Sequence, residues 1–170
     1  SVLTLASKTS LGNVSEEPDL NKGIVILMYH RFGEDRYPST NIRMAQFKSH
    51  LDELEQEEYN ILPLPDIIQA LKDGTDLPDR TIAITIDDAF LSVYERAFPL
   101  LKEKQFPFTL FVSTDAIDER PGYYMSWDQI KKMLESDLVS IGNHMSSHTS
   151  AVDLDISEVR AEINNSQKII

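Results

Sequence analysis

The sequence contains no cysteine and only 6 glycines among its 170 residues. Without cysteine the chain has no disulfide and no thiolate nucleophile, so any metal site must use histidine and carboxylate ligands. Glycine is too sparse for a phosphate-binding loop, which argues against nucleotide binding. No apolar run approaches the roughly 18 residues of a membrane-spanning helix. Thiol chemistry, nucleotide binding and a membrane span are therefore not predicted.

Basic residues are also few. Lysine and arginine number 16 against 28 aspartates and glutamates, which gives a net charge of −12 and an isoelectric point near 4.6. Nucleic acids and anionic membranes are bound through basic patches, so neither is a predicted partner. With 41% hydrophobic and 26% charged residues, the chain has the composition of a globular protein with a buried core.

Residues 1–22 differ from the rest of the chain because they show neither helical nor strand periodicity. We interpret them as a flexible N-terminal leader or linker before one domain that covers residues 23–170. Their first residues resemble the end of a cleaved signal peptide, with Ala6 near a small-residue site, but no basic region precedes them. The apolar stripe of the last predicted helix continues to Ile170 without a glycine cap, so we expect further chain after it.

From residue 24 onward, apolar runs alternate with helical patterns. The predicted strands lie at 24–29, 61–62, 81–86, 108–112 and 138–141. The predicted helices cover about 43–58, 65–71, 92–104 with a break at Pro99, 127–135, and the residues after Asp155. This alternation predicts an α/β fold with a mostly parallel sheet, and the continuous apolar run 24–29 is typical of a strand buried on both faces. About five strands suffice for an open doubly wound sheet, whereas a full barrel needs about eight.

Two adjacent carboxylates, Asp87 and Asp88, stand where the strand over 81–86 ends. The carboxyl ends of parallel strands are the usual place for a site in α/β proteins. Two ionised carboxylates side by side repel each other, which indicates a bound cation or a shared proton. A polar turn in which one aspartate caps the next helix explains the pair equally well at this stage.

His144 and His148 follow the strand that ends before Gly142, with the spacing His-x-x-x-His. If this stretch forms a helical turn, both imidazoles point the same way, as two ligands of one metal must. With one carboxylate of the Asp87–Asp88 pair they make a ligand set of one carboxylate and two imidazoles, which suits zinc or a similar divalent metal. The other carboxylate of the pair is then free to act as a base toward metal-activated water, so the residues predict hydrolysis of an ester or amide.

Three further candidates carry less weight. His30 ends the first predicted strand and faces the same edge, where we favour a structural or supporting role over ligation. His50 lies beside the apolar face of an acidic helix and is predicted to be solvated. Trp127 follows a helix cap and is predicted to pack against the protein rather than to bind a sugar.

Two segments of the chain resemble motifs of the NodB-type polysaccharide deacetylases, carbohydrate esterase family four. The segment Thr-Ile-Asp-Asp-Ala at 85–89 resembles the family's Thr-Phe-Asp-Asp-Gly motif. The segment Ile-Gly-Asn-His-Met-Ser-Ser-His at 141–148 resembles its Gly-Asn/Ser-His-Thr-x-x-His motif. Met-Tyr-His at 28–30 resembles the Tyr-His that ends the family's first strand. Two motifs in the family's order are specific, and together the matches cover most of residues 24–170.

The resemblance implies a distorted (β/α) barrel, present here as a partial barrel that lacks its C-terminal strands. It implies metal-dependent removal of acetyl groups from an N-acetylated polysaccharide by an exported protein, whether periplasmic, surface-bound or secreted. Carried over residue by residue, it makes Asp87 the general base and Asp88, His144 and His148 the ligands of a divalent metal, zinc by preference.

The chain also departs from the family pattern. Ile86 and Ala89 replace Phe and Gly in the first motif, and Met145 replaces Thr between the histidines. The family's later motifs, which supply an oxyanion-binding group, a partner that orients the base and a general-acid histidine, have no counterpart in the chain. Two alternatives stay open: a non-catalytic glycan-binding or interaction module that keeps the metal site, and an O-deacetylase of acetylated xylan. A half-barrel leaves sheet edges uncovered, so self-association is also predicted.

Overall fold

The computed structural model describes residues 23–170, so the leader predicted at 1–22 lies outside the described part. The strands are β1 Val25–Tyr29, β2 Arg31–Phe32, β3 Asn41–Ile42, β4 Asn60–Ile61, β5 Thr81–Asp87, β6 Phe108–Val112 and β7 Val139–Asn143. The helices are α1 Met44–Gln56, α2 Leu64–Asp73, α3 Phe98–Glu103, α4 Thr114–Glu119, α5 Trp127–Leu134 and α6 Ile156–Gln167. None of these helices combines the length and the hydropathy that crossing a membrane requires.

A five-stranded parallel sheet forms the centre of the fold. Its strands run in the order β1-β5-β6-β7, and β4 pairs with the first two residues of β5. β2 and β3 form a separate short parallel pair that the sequence did not reveal, because two residues are too few to show a period. All carboxyl ends of the central strands therefore meet at one edge of the sheet, as the alternation of strands and helices predicts.

The two faces of the sheet differ in character. Alternate residues of β5, namely Ile82, Ile84 and Ile86, are buried in a hydrophobic core. Helices α1 and α5 contribute further residues to this core, which include Phe47, Leu51, Leu54, Ile130 and Met133. Because side chains alternate along a strand, the other face carries small and polar residues. The polar face runs directly into Asp87, so the fold places this carboxylate on the side away from the packed helices.

A row of hydroxyls crosses that second face. Thr85, Thr109 and Ser140 are neighbours in the strand register, and the Thr109 and Ser140 hydroxyl oxygens lie 2.7 Å apart. Thr85 and Thr109 are buried, yet Thr109 keeps this hydroxyl partner on the neighbouring strand. Such paired polar groups line the approach to the carboxyl edge without leaving a buried donor unmatched.

Strand β1 differs from the prediction of a strand buried on both faces. Val25, Ile26 and Met28 are 50%, 54% and 61% exposed. β1 pairs only with β5 and stands at the edge of the sheet among the described residues. The apolar run correctly predicts a strand of a parallel sheet, but burial depends on elements packed against it, which a local pattern does not contain.

Helix boundaries also depart from the pattern in two places. The stretch predicted as a helix at 92–104 begins with a π-helical turn over Val93–Ala97, and α3 follows it directly. Pro99 lies in the first turn of α3, directly after the π-helical turn, so the helix changes type beside the proline at which the sequence predicts a break. Helix α6 ends at Gln167 and does not continue to Ile170.

Candidate metal centre and active site

Asp87 and Asp88 lie at the carboxyl end of β5, in the middle of the sheet edge. Asp87 is the last residue of the strand, and the Asp88 N–H donates to the Phe111 carbonyl of β6 at 3.0 Å. Asp88 and Ala89 both have positive φ angles, of 72° and 51°. This left-handed turn is unusual for two residues with side chains and marks a site whose surroundings hold it in place.

The histidine segment approaches from β7. The His144 N–H donates to the Val112 carbonyl at 2.9 Å, so the first histidine stands immediately beyond the strand end. The residues after it form no helical turn, and Met145 and His148 have φ angles of 67° and 58°. The helical turn that the sequence argument assumed for the histidine segment is therefore absent. A left-handed kink at each of these residues turns the chain instead.

The structure nevertheless brings both imidazoles to Asp88. The Nε2 atoms of His144 and His148 lie 3.4 Å and 3.0 Å from Asp88 Oδ1, and the ring centroids are 4.9 Å apart. One potential ligand atom from each of the three residues lies within 4.8 Å of the others. Side chains from β5 and from the segment after β7 thus converge on one point above the sheet edge.

The donor set fits a divalent cation. Asp88 Oδ1 is buried and has no hydrogen-bond partner of acceptable geometry, although two imidazole nitrogens lie close to it. A buried carboxylate oxygen without a partner is costly and rare. A cation between this oxygen and the two nitrogens would satisfy all three atoms. Imidazole and carboxylate ligands suit zinc and related divalent metals.

The two carboxylates have opposite pKa shifts. Burial raises the pKa of Asp87, and the nearby His144 and His30 offset this only in part. Burial acts on Asp88 as well, but contact with His144 and the charge of His148 outweigh it and hold the pKa of Asp88 below its usual value. Contact with Asp88 in turn raises the pKa of His144. The pKa values of the two adjacent carboxyls thus shift in opposite directions, a pattern typical of paired carboxyls that have different roles.

The structure places the remaining sequence candidates as follows. His30 lies beside Asp87, with Nε2 3.8 Å from Oδ2, so it belongs to the edge that the sequence predicts. His50 is half-buried where the sequence predicts a solvated side chain, and its Nδ1 lies 3.0 Å from the hydroxyl of Tyr29 in β1. Trp127 packs against the core as predicted, and its Nε1–H donates to Asp118 at 2.7 Å.

Arg31 is a residue near the site that the sequence reading missed. It is 6% exposed, and its guanidinium lies over the Phe90 ring at 3.4 Å while donating to the Tyr123 hydroxyl at 2.6 Å. Phe90 follows the turn at Asp88 and Ala89, so Arg31 packs against the residue that comes directly after this turn. The one available signal was an arginine directly after a strand-ending histidine, which is weak because most arginines are exposed.

At the same edge of the sheet, the ring of Phe111 packs directly against the backbone of Gly142. In the strand register Asp87, Phe111 and Gly142 are neighbours on three adjacent strands. The Phe111 ring lies so close to Gly142 that a Cβ at that position would overlap it. Glycine therefore allows the ring to lie across β7 instead of over Asp87.

A parallel α/β sheet that carries an Asp-His-His set and a second carboxylate at its carboxyl edge has the features of a metal-dependent hydrolase. The family model for polysaccharide deacetylase matches residues 74–170, more than half of the chain. The chain belongs to the polysaccharide deacetylase family. The family prediction from the two motifs is thereby confirmed.

Curated relatives include the poly-β-1,6-N-acetyl-D-glucosamine N-deacetylases of Escherichia coli K12 and Staphylococcus aureus. The Escherichia coli protein is 24% identical over 147 residues, which cover 77% of this chain and 22% of that protein. The Staphylococcus aureus protein is 27% identical over 107 residues, which cover 61% of this chain and 37% of that protein. The chain thus spans well under half the length of either relative.

Solved structures confirm the predicted fold. The structure of IcaB from Ammonifex degensii superposes with a TM-score of 0.72 at 30% identity, covering 86% of this chain and 66% of that one. The Streptococcus pyogenes deacetylase PplD, solved with acetate, superposes with a TM-score of 0.76 at 21% identity, covering 85% of this chain and 66% of that one. The described residues therefore have the deacetylase-type α/β fold and span about two thirds of these solved chains.

Proposed function

We propose that the protein is a metal-dependent polysaccharide N-deacetylase whose domain covers residues 23–170. The observation that supports this most directly is the convergence of Asp88, His144 and His148 within 4.8 Å, beside the second carboxylate of Asp87. The relatives named for poly-β-1,6-N-acetyl-D-glucosamine favour an N-acetylated polysaccharide as the substrate. The family resemblance also favours an exported protein.

In the proposed reaction, three residues bind the metal and a fourth accepts a proton. Asp88, His144 and His148 would hold the cation, and the two imidazoles favour zinc over magnesium or calcium. When bound, such a cation acidifies a water molecule and polarises the acetyl carbonyl. Asp87 accepts the proton of the attacking water, and its raised pKa makes it a stronger base. The products are acetate and a free sugar amine.

The role of Asp87 sets it apart from its neighbour. Because Asp87 is the base and not a ligand, Asp87→Asn should keep the bound metal and lose at least about 100-fold in the rate of acetate release. Asp88→Ala removes a ligand and should lose the metal as well. The exposed Asp128, on helix α5, provides a matched control, and Asp128→Asn should change neither property.

The experiment measures metal content by elemental analysis and acetate release for these variants. The substrates are β-1,6-linked N-acetylglucosamine oligosaccharides, chitooligosaccharides and acetylated xylan. Release from the N-acetylated substrates, dependent on the metal, supports the proposal. Release from xylan alone would identify an O-deacetylase. Sugar binding without any release, even by a longer chain that carries the family's later motifs, would identify a non-catalytic module. Full activity of the Asp87 variant would remove Asp87 from the role of base.

A further inference from the structure

Glu162 of helix α6 binds the segment between the two histidines. Its Oε2 accepts hydrogen bonds from the Ser146 N–H at 3.1 Å and the Ser146 hydroxyl at 2.8 Å. The same oxygen accepts from the Ser147 N–H at 2.7 Å and the Ser147 hydroxyl at 2.9 Å. A single carboxylate oxygen thus gathers four donors from two consecutive residues, and bonds to an ionised acceptor are stronger than neutral ones.

The first histidine has other anchors. The His144 N–H is bound by the Val112 carbonyl, and the His144 carbonyl accepts from the Ser113 hydroxyl at 2.9 Å. Both partners belong to the carboxyl end of β6 and the residue after it. Asp115 also donates its N–H to the Ser146 carbonyl at 3.0 Å. Both polar backbone groups of His144 are therefore bound by β6 and the residue after it.

The second histidine lacks such an anchor. The His148 side chain is 54% exposed, its backbone has a positive φ of 58°, and it lies in a segment without regular structure. Ser147, the residue before it, is bound through both its N–H and its hydroxyl by Glu162. A non-glycine residue at positive φ persists only where its surroundings hold it.

We propose that Glu162 is the positioning residue that aims His148 at the metal centre. It acts through Ser146 and Ser147 and does not touch the ligand atoms. This inference rests on the proposed metal site. It adds a third element to that site, because the ligands stand after β5 and β7 while the residue that orders one of them comes from α6.

A purely structural role for Glu162 would be to attach α6 to the sheet. Helix α6 has a second, independent attachment, since the Asn143 side-chain amide donates to the Ile163 carbonyl at 3.0 Å. At the other end of the helix, Glu158 closes the capping box by accepting the Asp155 N–H at 2.8 Å. Loss of Glu158 therefore weakens the same helix without touching the histidine segment, which makes it the matched control.

The test measures Co²⁺ affinity from the visible absorption of the bound ion, Zn²⁺ affinity by competition, and the thermal midpoint of the metal-free protein. Glu162→Ala should weaken both affinities by about 10-fold or more and alter the Co²⁺ spectrum, as loss of a group that orients a metal ligand typically does. Glu162→Gln keeps one acceptor oxygen without its charge and should fall between wild type and Glu162→Ala. Glu158→Ala removes the acceptor of the capping box, so it should lower the thermal midpoint and leave affinity and spectrum unchanged.

Wild-type affinity and spectrum in Glu162→Ala would overturn the inference, even if the thermal midpoint falls. Equal loss of affinity in Glu158→Ala would also overturn it, because the effect would then come from α6 stability alone. Should Glu162→Ala fail to fold, the Ser146→Ala/Ser147→Ala double variant removes half of the donors and should weaken Co²⁺ binding in the same direction. Absence of metal binding by the wild-type protein would instead overturn the proposed function.

Discussion

Asp87 and Asp88 are adjacent in the sequence and have different surroundings. The Asp87 side chain lies on the polar face of the sheet near His30, while Asp88 lies in a left-handed turn that faces two imidazoles. Asp87 is the last residue of β5 and follows the alternation of side chains between the two faces of the sheet. Asp88 lies beyond the strand end, so its side chain is directed by the turn and not by this alternation. One residue step thus distinguishes the proposed base from the proposed ligand.

Gly142 is the residue-scale feature whose substitution should be most informative. A Cβ at this position overlaps the Phe111 ring, so Gly142→Ala should lower the free energy of unfolding by about 1–3 kcal/mol. Chemical denaturation provides the measurement. In a Phe111→Leu background the ring is absent, and the same substitution should cost less. Equal costs in the two backgrounds would show that the ring is not the obstacle.

At the scale of elements, helices α5 and α6 begin with side-chain caps. Helix α5 has Ser126 and Gln129 as a capping box, and α6 has Asp155 and Glu158. Each cap satisfies backbone N–H groups that a helix leaves unpaired at its start. Because Glu162 lies in α6, the cap at Asp155 holds the start of the helix from which the histidine segment is anchored.

The Asp155 cap should make the stability of helix α6 depend on pH. The side-chain hydrogen bond from Ser157, together with the backbone N–H of Glu158, holds the pKa of Asp155 below its usual value of 3.8. A carboxyl with a depressed folded-state pKa contributes stability above its unfolded value and loses it as the pH falls through the folded value. Asp155→Ala should therefore lower the thermal midpoint at pH 7, and its difference from wild type should shrink below about pH 4.

The check is a series of thermal unfolding scans from neutral to acidic pH on wild type and Asp155→Ala. Asp128→Ala is the control, because Asp128 is an exposed first-turn residue of α5 that is not the helix cap. Its difference from wild type should stay small throughout. A difference for Asp155→Ala that does not narrow in acid would contradict the cap as its source.

At the scale of the whole molecule, β1 is the exposed edge of the sheet among the described residues. Its apolar side chains include Ile26 and Met28, which share one face because they are two residues apart. An exposed apolar edge strand favours pairing with another chain. Self-association of the 170-residue protein through β1 therefore remains our prediction.

An Ile26→Thr/Met28→Lys double variant should reduce the apparent mass measured by light scattering at a fixed protein concentration. Leu71 on helix α2 is as exposed as Met28, at 61%, and does not belong to the sheet edge. Leu71→Lys should leave the apparent mass unchanged. A monodisperse monomer for the wild-type protein would count against the prediction.

Part of the fold and of the site was predictable from local patterns. The strands at 81–87 and 108–112 are short β-branched or aromatic runs whose period and flanking residues are contained within the run itself. The carboxylates at the end of β5 follow from the same reasoning, because parallel strands end at a common edge. The motif spacing was also sufficient to identify the family.

The tertiary structure decided the features that depend on distant residues. The histidines converge on Asp88 through left-handed kinks and contacts from β6 and α6, not through a helical turn of their own. Glu162 acts across 15 residues of sequence to reach Ser147, and no periodicity records such a pair. The exposure of β1 likewise depends on which elements pack against it. Local propensity and strand-end position are properties of neighbouring residues, whereas convergence and burial exist only once separate elements have packed together.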